Sequence, residues 1–336
     1  TTPGGIAFRH LAMPGDSHHA LAFGWPDGHA LTVAGKEGVS VLGPRLLLEG
    51  SRGMDQSTRI ETLKDLQASI SLGGGAHFAV GLLSAPGPKF AETAGLLADL
   101  LADPALPPDK LALARRNLVL SSRQQEENAE TQANRLFIRL LLGEGPLLRL
   151  SVADPAAYED VQVSDVDAWR RAVLGRDRVV VASAGPMAPA EVAAQIDRVF
   201  AGLPATGPAP PLPPPAMRAS GKLIVLERPV VQTAIVAGGP SGWTVEAETL
   251  RATMAVRVLG GGFESRLIRA VRERLGAAYG IRASLRQLHP KAISLVIGTA
   301  VDTSKAVATL AAIRSEYERL LAEGVTDAEI ALVTAG

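Results

Sequence analysis

The chain has 336 residues, 47% of them hydrophobic and 20% charged, with 34 basic against 34 acidic side chains. That length implies roughly two domains, at about 100–200 residues each, and the apolar fraction excludes wholesale disorder. A formal charge of zero argues against a general nucleic-acid or anionic-membrane binder, and the lack of any cysteine excludes disulfides, Cys-ligated zinc, iron–sulfur clusters and thiol nucleophiles.

The N-terminus, Thr1-Thr2-Pro3-Gly4-Gly5, shows neither a basic nor an apolar leader region, so any secretory leader is expected to have been removed already. This leaves the compartment open between a bacterial periplasm and the cytoplasm. Gly, Pro or a charge interrupts every apolar stretch before it reaches the 18 or so residues of a membrane span.

In chain order, Leu72–Leu83 reads as a strand entered through Gly73, Gly74 and Gly75. A helical pattern follows over Lys89–Leu101, with Leu96, Leu97, Leu100 and Leu101 on one stripe, and the turn Pro104–Asp109 opens another helix. Seven of the twelve residues from Pro204 to Pro215 are proline. Such a stretch favours extended geometry and reads as a semi-rigid strap. Beyond it, Ala278–Leu285 and Ala292–Thr299 read as strands, Thr303–Ala322 as a helix, and Gly324-Val325-Thr326-Asp327 as the turn that opens a further helix. Strand, helix, short acidic turn and helix recur at an offset of roughly 215 residues.

The simplest account is an α+β protein of two homologous repeats, each a mostly antiparallel sheet with helices packed on it. The first repeat spans 1–203, the Pro-rich linker 204–217 and the second repeat 218–336. The second is expected to be truncated, since the sequence stops inside an apparent helix.

Among the six histidines (His10, His18, His19, His29, His77 and His289) none has a second histidine four positions on or a glutamate three positions on, as a helical zinc site of the H-E-x-x-H or H-x-x-E-H kind requires. The adjacent His18 and His19 point two ways on a strand or helix. All six read as surface or cap residues. No G-x-S-x-G elbow is present, and the clusters Gly73–Gly75 and Gly260–Gly262 match neither a P-loop nor a dinucleotide fingerprint.

The densest polar segment is GGGFESRLIRAVRERLGAAYGIRASL, Gly260–Leu285. Leu267, Ile268, Val271 and Leu275 repeat at helical spacing, which predicts an amphipathic helix over Ser265–Leu275 that Gly276 can end. From Tyr279 the period is two, with Tyr279, Ile281, Ala283 and Leu285 on one face. A tight helix-to-strand turn can bring Arg272 and Tyr279 together, and a guanidinium and a phenol so placed could jointly hydrogen-bond a peptide carbonyl. A solvated Arg beside a helix C-terminus and a half-buried Tyr fit the same pattern.

That segment resembles the second-half signature of the pitrilysin/insulinase-type metallopeptidases, or inverzincins, whose members include the mitochondrial processing peptidase: a glycine-rich turn, S-R-L, then R-E-x-x-G-x-A-Y. Gly35-Lys36-Glu37-Gly38-Val39 resembles the lead-in to that family's zinc helix, and the similarity extends over Gly50-Ser51, the strand after Gly73-Gly74, and Asp103-Pro104 through Arg116.

Laid on this chain, the resemblance puts Val41 and Arg45 where two zinc-binding histidines belong and Pro44 where the general-base glutamate belongs. The third ligand falls near Ser121-Ser122. Valine offers no lone pair, arginine is a permanent cation, and proline accepts no proton. Pro44 is further expected to disturb a helix interior. The resemblance therefore implies a chain that binds no metal and hydrolyses no peptide by itself.

Arg272 and Tyr279, however, are retained. In two-subunit members one chain carries Zn²⁺ and its partner supplies the Arg–Tyr pair. By resemblance, Arg272 would position the substrate backbone and Tyr279 would help hold the developing oxyanion beside the partner's zinc. Gly260, Gly261 and Gly262 would let the peptide approach closely. Leu72–Leu83 matches the edge strand on which catalytic relatives pair their substrate.

The expected function is thus that of a non-catalytic, substrate-clamping subunit in a bacterial-type heterodimeric zinc peptidase. Its partners are an H-x-x-E-H chain and an unfolded peptide; neither nucleic acid nor a membrane span is involved. The alternative is a structural or assembly subunit, like the core proteins of respiratory complexes that share the fold. An active peptidase with a rearranged zinc site is the third reading.

Overall fold

A computed structural model describes residues 1–26, 35–75, 78–207, 214–218, 221–243, 249–289 and 291–335. The chain divides into two compact units, one made of residues 1–122 and 153–212, the other of 123–152 and 213–336.

The first unit opens with strands β1 (Phe8–Ala12) and β2 (His18–Pro26), helix α1 (Val39–Leu47), the short pair β3 (Gly50–Ser51) and β4 (Met54–Asp55), and helix α2 (Gln56–Asp65). Strands β5 (Ser69–Gly74) and β6 (Phe78–Pro86) follow, then helices α3 (Phe90–Ala102) and α4 (Pro108–Gln125). After the segment that belongs to the second unit, helix α7 (Val163–Val173), strand β7 (Val180–Gly185) and helix α8 (Pro189–Phe200) complete it. The sheet order is β1-β7-β2-β6-β5, antiparallel throughout except for the parallel pairing of β1 with β7.

One face of this sheet builds the core. Strict alternation in β2 and β6 turns Leu21, Phe23, Trp25, Ala79, Leu83 and Ala85 inward against Phe90, Leu97, Leu100 and Leu101 of α3 and Ile196 and Phe200 of α8. Phe23, Trp25 and Phe200 meet edge to face at 5.4–5.8 Å. The other face leaves Phe78, Val80, Leu82 and Val180 exposed.

The expected strand Leu72–Leu83 is in fact the end of one strand and the start of the next. Gly73 and Gly74 close β5, Gly75 donates to the Phe78 carbonyl, and β6 returns antiparallel. The sheet edge is therefore β5, Ser69–Gly74. The Gly run had masked the reversal, because glycine fits a strand entry and a turn equally well.

The second unit comprises helices α5 (Ala129–Leu142) and α6 (Pro146–Ser151), strand β8 (Gln232–Pro240), helix α9 (Thr249–Gly260), a π-helical segment (Ile268–Arg274), strands β9 (Ile281–His289) and β10 (Ala292–Asp302), and helices α10 (Ala306–Glu323) and α11 (Asp327–Ala335). Its sheet has the order β8-β10-β9, all antiparallel.

The repeat is visible in the topology. β2-α1-β5-β6-α3-α4 in the first unit and β8-α9-β9-β10-α10-α11 in the second follow the same chain order and form the same sheet order, β2-β6-β5 and β8-β10-β9. The architecture is α+β, with helices laid on mostly antiparallel sheets.

Residues 123–152 depart from the expected division at 203 and 218, since they pack in the second unit. Phe137, Ile138 and Leu141 of α5 cluster with Leu148, with Leu288 of β9 and with Val236 and Val296 of β8 and β10. The apolar stripe of α5 is legible in the sequence; which sheet it lies on is not, because periodicity gives a face and no address.

Within the expected linker 204–217, residues 208–213 lie outside the described ones. The flanks are pinned: Arg176 and Asp177 donate backbone N–H groups to Pro204 and Ala205, and Arg218 N–H donates to the Leu141 carbonyl at 3.0 Å. Among the described residues no helix is long and apolar enough to cross a membrane.

Candidate functional site

Arg272 and Tyr279 flank a helix-to-strand junction in the second unit. The predicted helix over Ser265–Leu275 forms, but as a π-helix through Ile268–Arg274, with the Leu275 N–H reaching back five residues to the Ala270 carbonyl. Such wide turns recur at functional positions because they displace side chains from the ordinary helical register.

Gly276, at φ +55°, ends the helix as expected, and Lys305 Nζ caps it by donating to the Leu275 and Gly276 carbonyls at 3.3 and 2.8 Å. On the far side, Thr299 Oγ1 donates to the Gly280 carbonyl at 2.8 Å. The junction is thus pinned at both ends.

Tyr279 is 94% exposed and precedes the strand, which begins at Ile281. It therefore leaves the buried face that Ile281 and Ala283 occupy. Arg272 is exposed too, its guanidinium 5.7 Å from the centre of the Phe263 ring. No hydrogen bond joins Arg272 to Tyr279, and each presents its donors to solvent.

The three glycines separate in role. Gly260 is buried, and a Cβ there would stand 2.6 Å from the Ala283 nitrogen and 2.8 Å from the Ala283 Cβ. It exists so that α9 can lie against β9, and it is closed to a peptide. Gly261 and Gly262 are exposed and line a cleft of about 320 Å³ with Arg257, Phe263, Leu332 and Val333. Gly260→Val should lower stability by about 1–3 kcal/mol through overpacking, read as a lower urea midpoint at unchanged slope; Gly262→Ala, with open space around its Cα, should leave the midpoint in place.

The S-R-L part of the signature does work that the sequence alone did not disclose. Arg266, only 3% exposed, donates from Nε and Nη2 to the two Glu329 carboxylate oxygens at 2.7 and 2.8 Å and from Nη2 to the Gly324 carbonyl at 2.7 Å. Glu329 also accepts from the Thr326 N–H and hydroxyl, while Thr326 accepts from the Glu329 N–H, a capping box that starts α11. The bidentate Arg266 contact holds the Glu329 carboxyl well below its ordinary range, at about 2. The recurring short acidic turn was the available signal; its buried arginine partner lies 63 residues away.

In the first unit, α1 carries Val41, half-buried, Pro44, buried, and Arg45, exposed. Pro44 does not break this helix, contrary to expectation: α1 runs through it from Val39 to Leu47. The Ser40 carbonyl that a proline at 44 leaves without its helical N–H packs against Gly74 of β5, where any Cβ would overlap that oxygen and come 2.9 Å from Pro44 Cγ. The ring thus fills the space between helix and edge strand.

A zinc ion does not fit these residues. Valine and proline have no donor, and the arginine would repel it. Ser122, near the third ligand position, donates its hydroxyl to the Ala153 carbonyl.

Among the described residues no three His, Asp or Glu side chains come together to hold a metal; His29 and His77 lie outside the described residues. The expectation that all histidines are surface or cap groups fails for His19, which is buried; His289 is buried too, but its Nδ1 accepts the Lys291 N–H at 3.1 Å, as a cap does. The alternation of β2 turns His19 inward while His18 faces solvent.

Residues 160–335, just over half of the chain, match the family described as the peptidase M16 inactive domain. The chain belongs to this family. Among solved structures, the peptidase M16 inactive domain from Pseudomonas fluorescens superposes with a TM-score of 0.87 at 21% identity, covering 99% of this chain and 81% of that one. A protease from Helicobacter pylori gives 0.84 at 14% identity, over 99% and 82%. A chain of Complex III2 from Candida albicans gives 0.76 at 13%, over 100% and 79%. No curated protein matches the chain. The family, and the residues that α1 carries, together make this a non-catalytic, peptidase-like M16 chain.

Proposed function

We propose that this M16 chain is the substrate-clamping subunit of a two-chain zinc peptidase, in which Arg272 and Tyr279 hold a peptide's backbone beside the metal of a partner bearing H-x-x-E-H. The observation that carries the reading is Tyr279. A phenol 94% exposed on a pinned junction contributes nothing to its own fold, and its hydroxyl is free to donate to a carbonyl oxygen brought by another molecule. Arg272, also exposed, adds a second donor that positions the same segment. Gly262 leaves room for the peptide beside Phe263, whereas Gly261 is closed off by Arg257, and Zn²⁺ belongs to the partner, since α1 cannot hold it.

The isolated chain, stripped with chelator and reloaded with zinc, should retain far less than one equivalent after gel filtration and cleave no unfolded peptide. Cleavage should appear when an H-x-x-E-H chain is added. One equivalent of retained zinc together with turnover by this chain alone would end the proposal.

The alternative, an assembly subunit, draws on the likeness to a chain of Complex III2. It is distinguished by stable incorporation into a complex that lacks any peptidase chain.

A further inference from the structure

Three side chains on three neighbouring strands of the first unit form a buried cluster that the peptide-clamping reading does not use. His10 on β1 lies in register with Ser183 on β7, and His19 on β2 reaches the same hydroxyl from the other side. Ser183 Oγ is 3.1 Å from His10 Nδ1 and 2.8 Å from His19 Nε2. The imidazoles stack with centroids 5.7 Å apart, and the edge of Phe90 closes on His19 at 4.8 Å. His19 and Ser183 are buried and His10 half-buried. His10 Nε2 and His19 Nδ1 are buried without a partner; a Cβ on Gly185 would overlap the latter.

A hydroxyl carries one hydrogen and two lone pairs. Between two neutral imidazoles it donates to one and accepts from the other. One added proton is absorbed without loss: the ring that carries it donates to Oγ, and Oγ–H donates to the other ring. A second proton has no place. Two imidazoliums would both donate to one oxygen, whose own hydrogen would then have no acceptor, and two stacked cations would repel each other in a dry layer.

Burial already lowers the His19 pKa, and His10 lowers it further. No carboxylate is at hand to relieve this. β7 has no titratable residue. On β1 Arg9 alternates to the opposite face, and on β2 His18 does so and is bonded to Ser17. On α8 Asp197 is taken by Thr2 and Gly4, Glu191 by the Ala188 N–H and Arg198 by the Ala91 carbonyl. Lys89, at the start of α3, donates to the Asp65 carbonyl.

We propose that His10, Ser183 and His19 form an acid-sensitive latch: a second proton breaks the shared hydroxyl contact and releases β1 from β7, leaving β7 as the edge of the sheet. β1 is the element to go because it is outermost, five residues long and paired on one side only.

Hydrogen exchange of the whole chain, followed by mass spectrometry from pH 7.5 to 5 and corrected for the intrinsic rate, tests this. Protection of residues 8–12 should fall at least tenfold, while that of 78–86 holds. In His10→Phe, and in His10→Asn, which keeps a donor for Ser183 but takes up no proton, the fall should be absent. The latch is wrong if β1 protection is flat with pH, if it falls equally in both variants, or if nitrogen-resolved NMR shows the two imidazoles titrating independently.

Discussion

Tyr279→Phe should lower kcat of the mixed peptidase about a hundredfold, roughly 2.7 kcal/mol of barrier, the loss expected for removing one preorganised donor to an oxyanion. The same variant should unfold within about 0.5 kcal/mol of the parent, because the side chain is almost wholly solvent-exposed and makes no hydrogen bond to the fold. Activity and stability are thus separable at this position.

Arg272→Ala should cut kcat/KM by about one to two orders of magnitude and should likewise leave the melting point in place, since it gives up only a solvent-facing contact with Phe263. Co-purification of the two chains should survive both changes. Wild-type rates for Tyr279→Phe and Arg272→Ala in a complex shown to be intact would remove the pair from the chemistry.

The second large effect is structural. Arg266→Met should destabilise the second unit by about 3–5 kcal/mol, the usual consequence of leaving one member of a buried charge pair without the other. Glu329 would lose its bidentate donor, and the Gly324 carbonyl its arginine N–H. Calorimetry of the full chain should then show the transition of the unit that contains residues 213–336 move down while the first unit's stays. Arg266→Lys should recover only part of the loss, because an ammonium cannot reproduce the two-pronged contact.

The same pair sets an acid limit. The Glu329 carboxyl is held at about 2 in the folded chain against an ordinary value of 4.5, so the pair's contribution is complete above about pH 5 and is lost as pH falls through 2. Over that window stability should drop by on the order of 2–3 kcal/mol from this group. Glu329→Gln should flatten that part of the profile, and an unchanged acid limb in the variant would show that other carboxylates govern it.

How much of this could be read from the residues differs by feature. The period-two run of β9, the stripe of α3, the stop at Gly276 and the turn before α11 are local properties, fixed by side-chain spacing and by the one residue able to adopt φ > 0. That Val41, Pro44 and Arg45 of α1 offer a metal ion no suitable donor in any conformation is also a matter of residue types.

Contacts across the chain were not legible. Gly260 looked like a surface for a peptide, yet it is the place where α9 meets β9; Pro44 looked like a helix breaker, yet Gly74 accommodates it. Arg266 finds Glu329 across 63 residues, and His10 finds Ser183 across 173. The residues of α5 announce a helix with an apolar face, but only packing against Leu288, Val236 and Val296 assigns it to the second unit.

The sequence by itself determined the α+β repeat, the lack of a metal donor at Val41, Pro44 and Arg45, and the presence of Arg272 and Tyr279, because each depends on residue identity and near-neighbour spacing. The tertiary structure alone decided that Tyr279 stands in solvent, that Arg266 is buried with its carboxylate, and that one hydroxyl is shared by two histidines. Exposure and long-range pairing are set by which faces the packed elements turn toward each other, and no local pattern carries that information.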